Sequence, residues 1–231
     1  MVWVLALSIA YLLGTFPSAV LIARANGVDI TTFGSGNPGA SNVTRALGWR
    51  KGVWVFALDA AKGAIAAGAG LWLAGSWLAG SWGAESWLAG SWLAGSWLEG
   101  RAAGYLLGAA AVLGHVAPAT RRFRGGKGVA TGGGVILVML PVVGVGVIVL
   151  WWVVTRLTGT ASIGSIVAVV AAGIGMAARG APAWEFAAAI GLCLLILARH
   201  LENVRRIVQR REHTVAAAGW MTESVAGENR P

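Results

Sequence analysis

The eight residues Arg124-Gly125-Gly126-Lys127-Gly128-Val129-Ala130-Thr131 bring together glycines, one lysine and a hydroxyl. Successive glycines let backbone N–H groups converge on one point, and a lysine adds a full positive charge, so the chemistry on offer is anion binding. A nucleotide P-loop, G-x-x-x-x-G-K-[ST], asks for more. With Gly126 and Lys127 as its G-K pair, the earlier glycine falls at Arg121 and the hydroxyl at Gly128, and an apolar run expected to be helical precedes it instead of a strand. What survives is a glycine-rich nest, a lysine and a helix expected to begin near Gly128, an anion site without nucleotide specificity.

A second candidate anion site is "FGSGNPGASNVTRALG" at 33–48. Asn37 is expected to cap a helix with Pro38 in its first turn, so that free N–H groups face an anion. Gly34 and Gly36 flank Ser35, which with Ser41 can donate hydroxyl hydrogen bonds, and Arg45 follows Pro38 by two helical turns on the same face. Further along, His115 stands in "GHVAP" and "RHLENVRR" begins at Arg199. His200 and Asn203 are three apart and share a helix face, Arg199 and Glu202 share a neighbouring one, and Arg205 and Arg206 suit a phosphate or a lipid headgroup. Asp59 and Lys62 lie one turn apart inside an apolar run, where ionised groups pair and face a bundle interior. Ser162 and Ser165 share a face and suit either a polar site or helix–helix contact.

The elements that must position these residues are membrane helices. The chain is 57% hydrophobic and 12% charged over 231 residues, which fits a polytopic membrane protein better than a soluble domain. Apolar runs fall at about 2–23, 52–72, 101–118, 128–140, 142–157, 162–178 and 183–198. The fourth is too short to span alone against lipid and is expected as a half-length helix inside the bundle. A net charge of +9 does not read as a nucleic-acid face, because the basic residues cluster between apolar runs. Segments 24–51 and 119–127, Arg156 and the tail beyond 199 carry nearly all of them. With seven spans these segments fall on one side, which the positive-inside rule makes cytoplasmic, with the N-terminus outside and the C-terminus inside. The start has no basic n-region and is expected to be a retained helix. Cys193, the single cysteine, reads as a small buried hydrophobe, and no metal-ligand cluster is expected.

Residues 71–100 interrupt this pattern with Trp77, Trp82, Trp87, Trp92 and Trp97 at a five-residue spacing that matches neither helix nor strand. They are expected to form an external low-complexity insertion with tryptophans at the lipid interface. Residues 1–211 then make one membrane domain, and 212–231 a polar cytoplasmic tail with no evident chemistry.

Three of these motifs, "GSGNPGASNVTRALG", "GHVAPATRRFRGGKGVAT" and "RHLENVRR", resemble, in order, the signatures of the bacterial acyl-phosphate:glycerol-3-phosphate acyltransferase (PlsY) family, and "LDAAKG" resembles a fourth shared patch. The resemblance covers about residues 1–211. It implies an all-α, seven-helix enzyme of the bacterial inner membrane with a cytoplasmic active site. It further implies acyl transfer from acyl phosphate to the 1-hydroxyl of glycerol 3-phosphate, giving lysophosphatidic acid and phosphate. No metal, cofactor, nucleotide or nucleic acid is expected, only the two substrates and membrane lipids. Ser35, Arg45, Lys127, His200 and Asn203 are the implied catalytic set. Gly34, Gly36, Asn37, Ser41, Asn42, Gly125, Gly126, Gly128, Thr131, Ser162 and Arg205 are the implied phosphate-binding set, with Asp59, Lys62, His115 and Glu202 in support. Ser41 stands where the family usually has threonine, and Thr120-Arg121-Arg122 is more basic than usual.

The H-x-x-x-x-D motif of other glycerolipid acyltransferases is absent, since Thr120, Arg205 and Ala218 stand five residues after the three histidines. A phosphate oxygen of the donor is the expected base, with His200 binding or orienting. The competing readings are a transporter or lipid kinase handling a phosphorylated substrate, and a membrane scaffold. Paired repeats are not evident, and apart from tail acids only Asp29 and Glu202 are available as cytoplasmic carboxylates for a kinase's magnesium.

Overall fold

The computed structural model describes residues 1–75, 100–178 and 182–215. Among these residues there are ten α-helices and no strand: α1 (Val2–Thr15), α2 (Ser18–Arg24), α3 (Ala40–Leu47), α4 (Trp49–Leu73), α5 (Arg101–Val116), α6 (Val129–Met139), α7 (Pro141–Thr158), α8 (Ala161–Ala178), α9 (Ala183–Ala198) and α10 (Leu201–Val208). Five segments are long and apolar enough to cross a membrane: Val2–Arg24, Trp49–Leu73, Arg101–Arg121, Pro141–Thr158 and Ala161–Ala178. A sixth forms if α9 and α10, bent by 51°, count as one. The expected half-length helix is present as α6, at 11 residues. The tryptophan repeat at 76–99 lies outside the described residues, as does most of the tail.

One break departs from the continuous runs expected, and a bend follows the end of the last run. The first run is interrupted at Pro17, which has no N–H to continue the ladder of α1. The carbonyl of Phe16 beside the break accepts a hydrogen bond from Lys62 Nζ at 2.6 Å. The last run bends after Ala198, and His200 becomes the residue preceding α10.

α4 is the hub, packing against α1, α3, α5 and α6. Such close packing in a membrane needs small residues, since lipid offers no hydrophobic penalty that would force helices together. Gly63 of α4 lies against the Thr131 carbonyl of α6, and Gly134 of α6 lies against the Ala60 carbonyl of α4; a Cβ at either would collide with backbone. Val112, Val116, Val135, Met139, Leu140 and Leu192 fill the core around α6.

The far end of α6 is clamped. Arg101 Nη2 donates to the Met139 carbonyl at 2.6 Å and to Glu185 Oε1 at 2.7 Å, and Tyr105 donates to the same carboxylate oxygen at 2.8 Å. A cation at the C-terminal end of a helix whose last carbonyls end inside the bundle satisfies both the orphan acceptor and the dipole. Glu185 is buried, while the Arg101 side chain is 35% exposed. Breaking a partly buried pair of this kind should cost about 2 kcal/mol. We therefore expect Glu185→Ala to lower the thermal midpoint in detergent and Glu185→Gln to lower it less. An unchanged midpoint in Glu185→Ala would show that the clamp contributes nothing.

Candidate active site

One end of the bundle holds a polar cavity, open at its mouth. Four segments wall it: the loop before α3 with α3 itself, the glycine-rich nest with the start of α6, the start of α8, and His200 with α10. Phe56 and Trp151, stacked with ring centroids 5.5 Å apart, line it deeper in, and Trp151 Nε1 donates to Ser165 Oγ at 3.1 Å.

The first wall is organised by Asn42, which is 1% exposed. Its amide donates to the carbonyls of Ile30 (3.2 Å) and Phe33 (2.9 Å). Its oxygen accepts from Arg45 Nη2 (3.0 Å) and from the Ser35 amide (3.4 Å). Arg45 Nη2 also donates to Ser35 Oγ at 3.2 Å. Asn42 is thus a bracket for Ser35 and Arg45, with its own bonding spent on protein. Gly34, at φ +55°, passes so close that a Cβ would sit 2.7 Å from the Asn42 oxygen. The expected cap moves: α3 begins at Ala40 with Gly39 before it, because Asn37, Pro38 and Gly39 form an approach in which the Asn37 amide donates to Ser35 Oγ. Asn37 and Ser41 still line the cavity, whereas Gly34 and Gly36 shape the loop behind it.

The second wall is the opening motif. Gly128 adopts φ +84° and starts α6, the helix start anticipated from sequence. The Gly126 amide donates to the His115 carbonyl at 3.0 Å. A Cβ at Gly125 would strike the carbonyls of His115 and Val116, and one at Gly126 would strike the His115 imidazole. Lys127, Gly128, Val129 and Ala130 face the cavity. Gly125 and Gly126 lie behind them, and Thr131 is turned away, fully buried with its hydroxyl unpaired.

Beneath the nest sits the buried ion pair expected from "LDAAKG". Lys62 Nζ reaches Asp59 Oδ1 at 2.6 Å and Ser18 Oγ at 2.8 Å, and Ser18 Oγ donates to the same carboxylate oxygen. His115 Nδ1 lies 3.7 Å from that oxygen. Asp59 and His115 face both the cavity and a smaller polar recess behind it.

The fourth wall corrects the reading of the tail. Glu212 enters the site and accepts from Asn203 Nδ2 (2.7 Å), Arg206 Nε (2.9 Å) and Ser162 Oγ (3.1 Å), and His213 lies beside it. The clue in the sequence was a lone acid directly after Arg210 and Arg211. Arg205 and Glu202 are exposed and do not line the cavity, Glu202 standing 3.6 Å from Arg206. His200 is 2% exposed, and its Nδ1 lies 2.8 Å from the Ile196 carbonyl, which assigns the proton to Nδ1 and leaves Nε2 as an acceptor.

The field inside is positive. Burial, offset in part by Glu212 and reinforced by the like charges of Arg206, Arg45 and Arg199, lowers the Lys127 pKa to about 8. Burial also lowers that of Arg45. Partial burial would raise Glu212, but hydrogen bonds from Arg206 and Asn203 outweigh it and leave its carboxyl below the usual range. Two buried polar atoms at the cavity wall have no protein partner, the donor Arg45 Nε and the acceptor Asn203 Oδ1. Such atoms are costly unless a ligand or water completes them. Among the described residues no group of three or more metal-ligating side chains occurs.

These features coincide with the family evidence. The profile of the family described as glycerol-3-phosphate acyltransferase matches residues 4–210. A glycerol-3-phosphate acyltransferase of Thermus thermophilus is 38% identical over 229 residues, covering 96% of this chain and 98% of that protein. That of Aquifex aeolicus is 37% identical, covering 88% and 94%. Two crystal structures of PlsY, an integral membrane glycerol 3-phosphate acyltransferase, share the fold. The glycerol 3-phosphate form matches at TM-score 0.75 and 34% identity over 99% of this chain and 100% of that one. The lysophosphatidic acid form matches at TM-score 0.73 and 36% identity over 93% and 95%. The chain belongs to the glycerol-3-phosphate acyltransferase family.

Proposed function

We propose that this protein transfers a fatty acyl group from acyl phosphate to the 1-hydroxyl of glycerol 3-phosphate, giving lysophosphatidic acid and inorganic phosphate. The observation that carries the reading is the pairing of buried, unsatisfied groups at one cavity with two cations. Arg45 Nε and the Lys127 amine suit phosphate oxygens, and Asn203 Oδ1 suits a hydroxyl of the glycerol. His200 Nε2 is a second acceptor for that hydroxyl. The N–H groups at the start of α6 have no intrahelical acceptors and point their partial charge at the donor's phosphate.

In the step itself the 1-hydroxyl oxygen attacks the acyl carbonyl carbon. The bond from that carbon to the phosphate oxygen breaks, and the hydroxyl proton passes to a phosphate oxygen, which leaves as hydrogen phosphate. His200, Ser35 and Asn203 orient the acceptor, while Arg45 and Lys127 hold phosphate charge that would otherwise repel. Catalysis is then a matter of positioning and electrostatic stabilisation. Asn42 serves the site as a bracket for Ser35 and Arg45. Glu212 joins Ser162, Asn203 and Arg206 across the mouth.

The topology that supports this chemistry counts α6 as a crossing, which makes seven spans from α1–α2 to α9. The N-terminus is then outside and the C-terminus cytoplasmic, in a bacterial inner membrane. With that count the ends of the helices that contribute to the cavity fall on one side, together with the basic segments.

Purified protein supplied with palmitoyl phosphate and glycerol 3-phosphate should yield lysophosphatidate and phosphate with no nucleotide or added metal. Folded protein that makes no product would overturn the reading. Lys127→Ala should cost about 10²-fold or more in kcat/KM, the scale seen when one charge-stabilising donor is removed, with the helical fold retained. Lys127 also sets a pH limit. A group lowered to about 8 carries its charge below that pH and loses it above. Apparent affinity for glycerol 3-phosphate should therefore fall as pH rises through about 8, and Lys127→Arg should hold it to higher pH. A wild-type profile that stays flat well above that point would show that the lysine charge is not used.

A further inference from the structure

α10 carries two opposed faces that the proposed reaction does not explain together. Leu201, Val204 and Val208 are 69%, 43% and 78% exposed, whereas Asn203 is 2% exposed. At about 100° per residue the apolar trio falls within an arc of about 60°, and Asn203 and Arg206 lie on the opposite side of the helix. One face thus meets the cavity through Asn203 and the Arg206–Glu212 pair, and the other presents three aliphatic side chains to the outside.

A helix of eight residues has little stability of its own. Its outer face begins where α9 ends, after a 51° bend, so it continues directly from an apolar helix. Arg205 borders the apolar arc, and Arg210 and Arg211 follow it, all exposed. Among the described residues no carboxylate pairs with these three, while Glu202 and Glu212 both go to Arg206. An aliphatic strip rimmed by unpaired arginines is complementary to the acyl–headgroup boundary of an anionic lipid surface.

We propose that α10 is an interfacial helix seated on anionic phospholipid, and that this seat sets the presentation to the catalytic cavity of Asn203 and of Glu212, which Arg206 holds. The inference rests on the membrane placement given above. The bilayer acts on the reaction through a positioning element: with the helix unseated, Asn203 and the Glu212 latch lose their register against Ser162. Membrane charge then tunes turnover through Arg210 and Arg211, which do not line the cavity.

The test places an environment-sensitive fluorophore on Val204→Cys in a Cys193→Ser background, in vesicles of phosphatidylcholine with phosphatidylglycerol. Brominated lipid should quench the label and aqueous iodide should not, with the reverse for a label on Glu202→Cys. Access of iodide to position 204 would overturn the proposal, and so would protection from both quenchers, which would mean that protein covers the face. Raising the phosphatidylglycerol fraction should increase kcat/KM for glycerol 3-phosphate by about fivefold in the wild type, and Arg210→Gln with Arg211→Gln should remove that dependence. Equal dependence in the double variant would overturn the electrostatic part. Leu201→Ser with Val208→Ser should lower kcat/KM with the thermal midpoint unchanged, and the absence of that loss would overturn the positioning part. The quenching result does not depend on acyl transfer, so a failure there leaves the reaction standing, and absence of product would leave the seat of the helix standing.

Discussion

On the proposed reading two phosphate groups, which repel each other, must share one cavity, and the cations available to hold them there, Arg45 and Lys127, are themselves unfavourable to keep buried. Burial lowers the pKa of both Arg45 and Lys127, and the Arg45 charge further disfavours that of Lys127. Glu212 relieves part of this by placing one carboxylate among them, bonded to Asn203, Arg206 and Ser162. Arg45 Nε and Asn203 Oδ1 keep no protein partner at the cavity wall, so both are open to a ligand or water. On the proposed reading, the two phosphate groups restore the charge that burial discourages, and the leaving phosphate carries away the proton of the attacking hydroxyl.

The fold supports this by holding one helix, α6, at its end and along its length. α6 presents the nest at its start and ends inside the bundle on Arg101, whose charge Glu185 balances. Along its length Gly134 and Gly63 bring it into backbone contact with α4. Below the nest, His115 contacts Gly126 with its backbone carbonyl and lies near Asp59, which Lys62 and Ser18 also hold. The Phe16 carbonyl that completes the Lys62 shell lies outside the helical ladder because Pro17 breaks the first helix. Polar groups buried among the apolar helices thus underlie the cavity.

Much of this was legible from residue types and spacing. The glycines around Lys127 failed the nucleotide pattern at definite positions, and the structure has the helix start near Gly128 that the surviving physics implied. Asp59 and Lys62 had to pair because lone charges inside an apolar run are too costly. The rest was hidden for physical reasons. Asn37 looks like a cap by local preference, yet the chain spends Asn37, Pro38 and Gly39 on turning past Ser35, and α3 starts later. Asn42 resembled another phosphate ligand, but its four bonds all close on protein, which only tertiary structure reveals. Thr131 and Arg205 sit close in sequence to residues that line the cavity, and helix geometry turns one inward and the other out. Glu212 lay beyond the last apolar run, where long-range return of the chain cannot be read from local pattern.

On the proposed reading Arg45 and Lys127 hold substrate phosphate within one shared cavity. A structure with glycerol 3-phosphate and a non-hydrolysable acyl phosphonate bound together tests it most directly. Both phosphorus atoms should lie inside the cavity, with Arg45 Nε and the Lys127 amine each about 3 Å from a phosphate or phosphonate oxygen and Asn203 Oδ1 accepting from a glycerol hydroxyl. Phosphate groups bound outside the cavity, or a Lys127 amine out of contact with both, would contradict it.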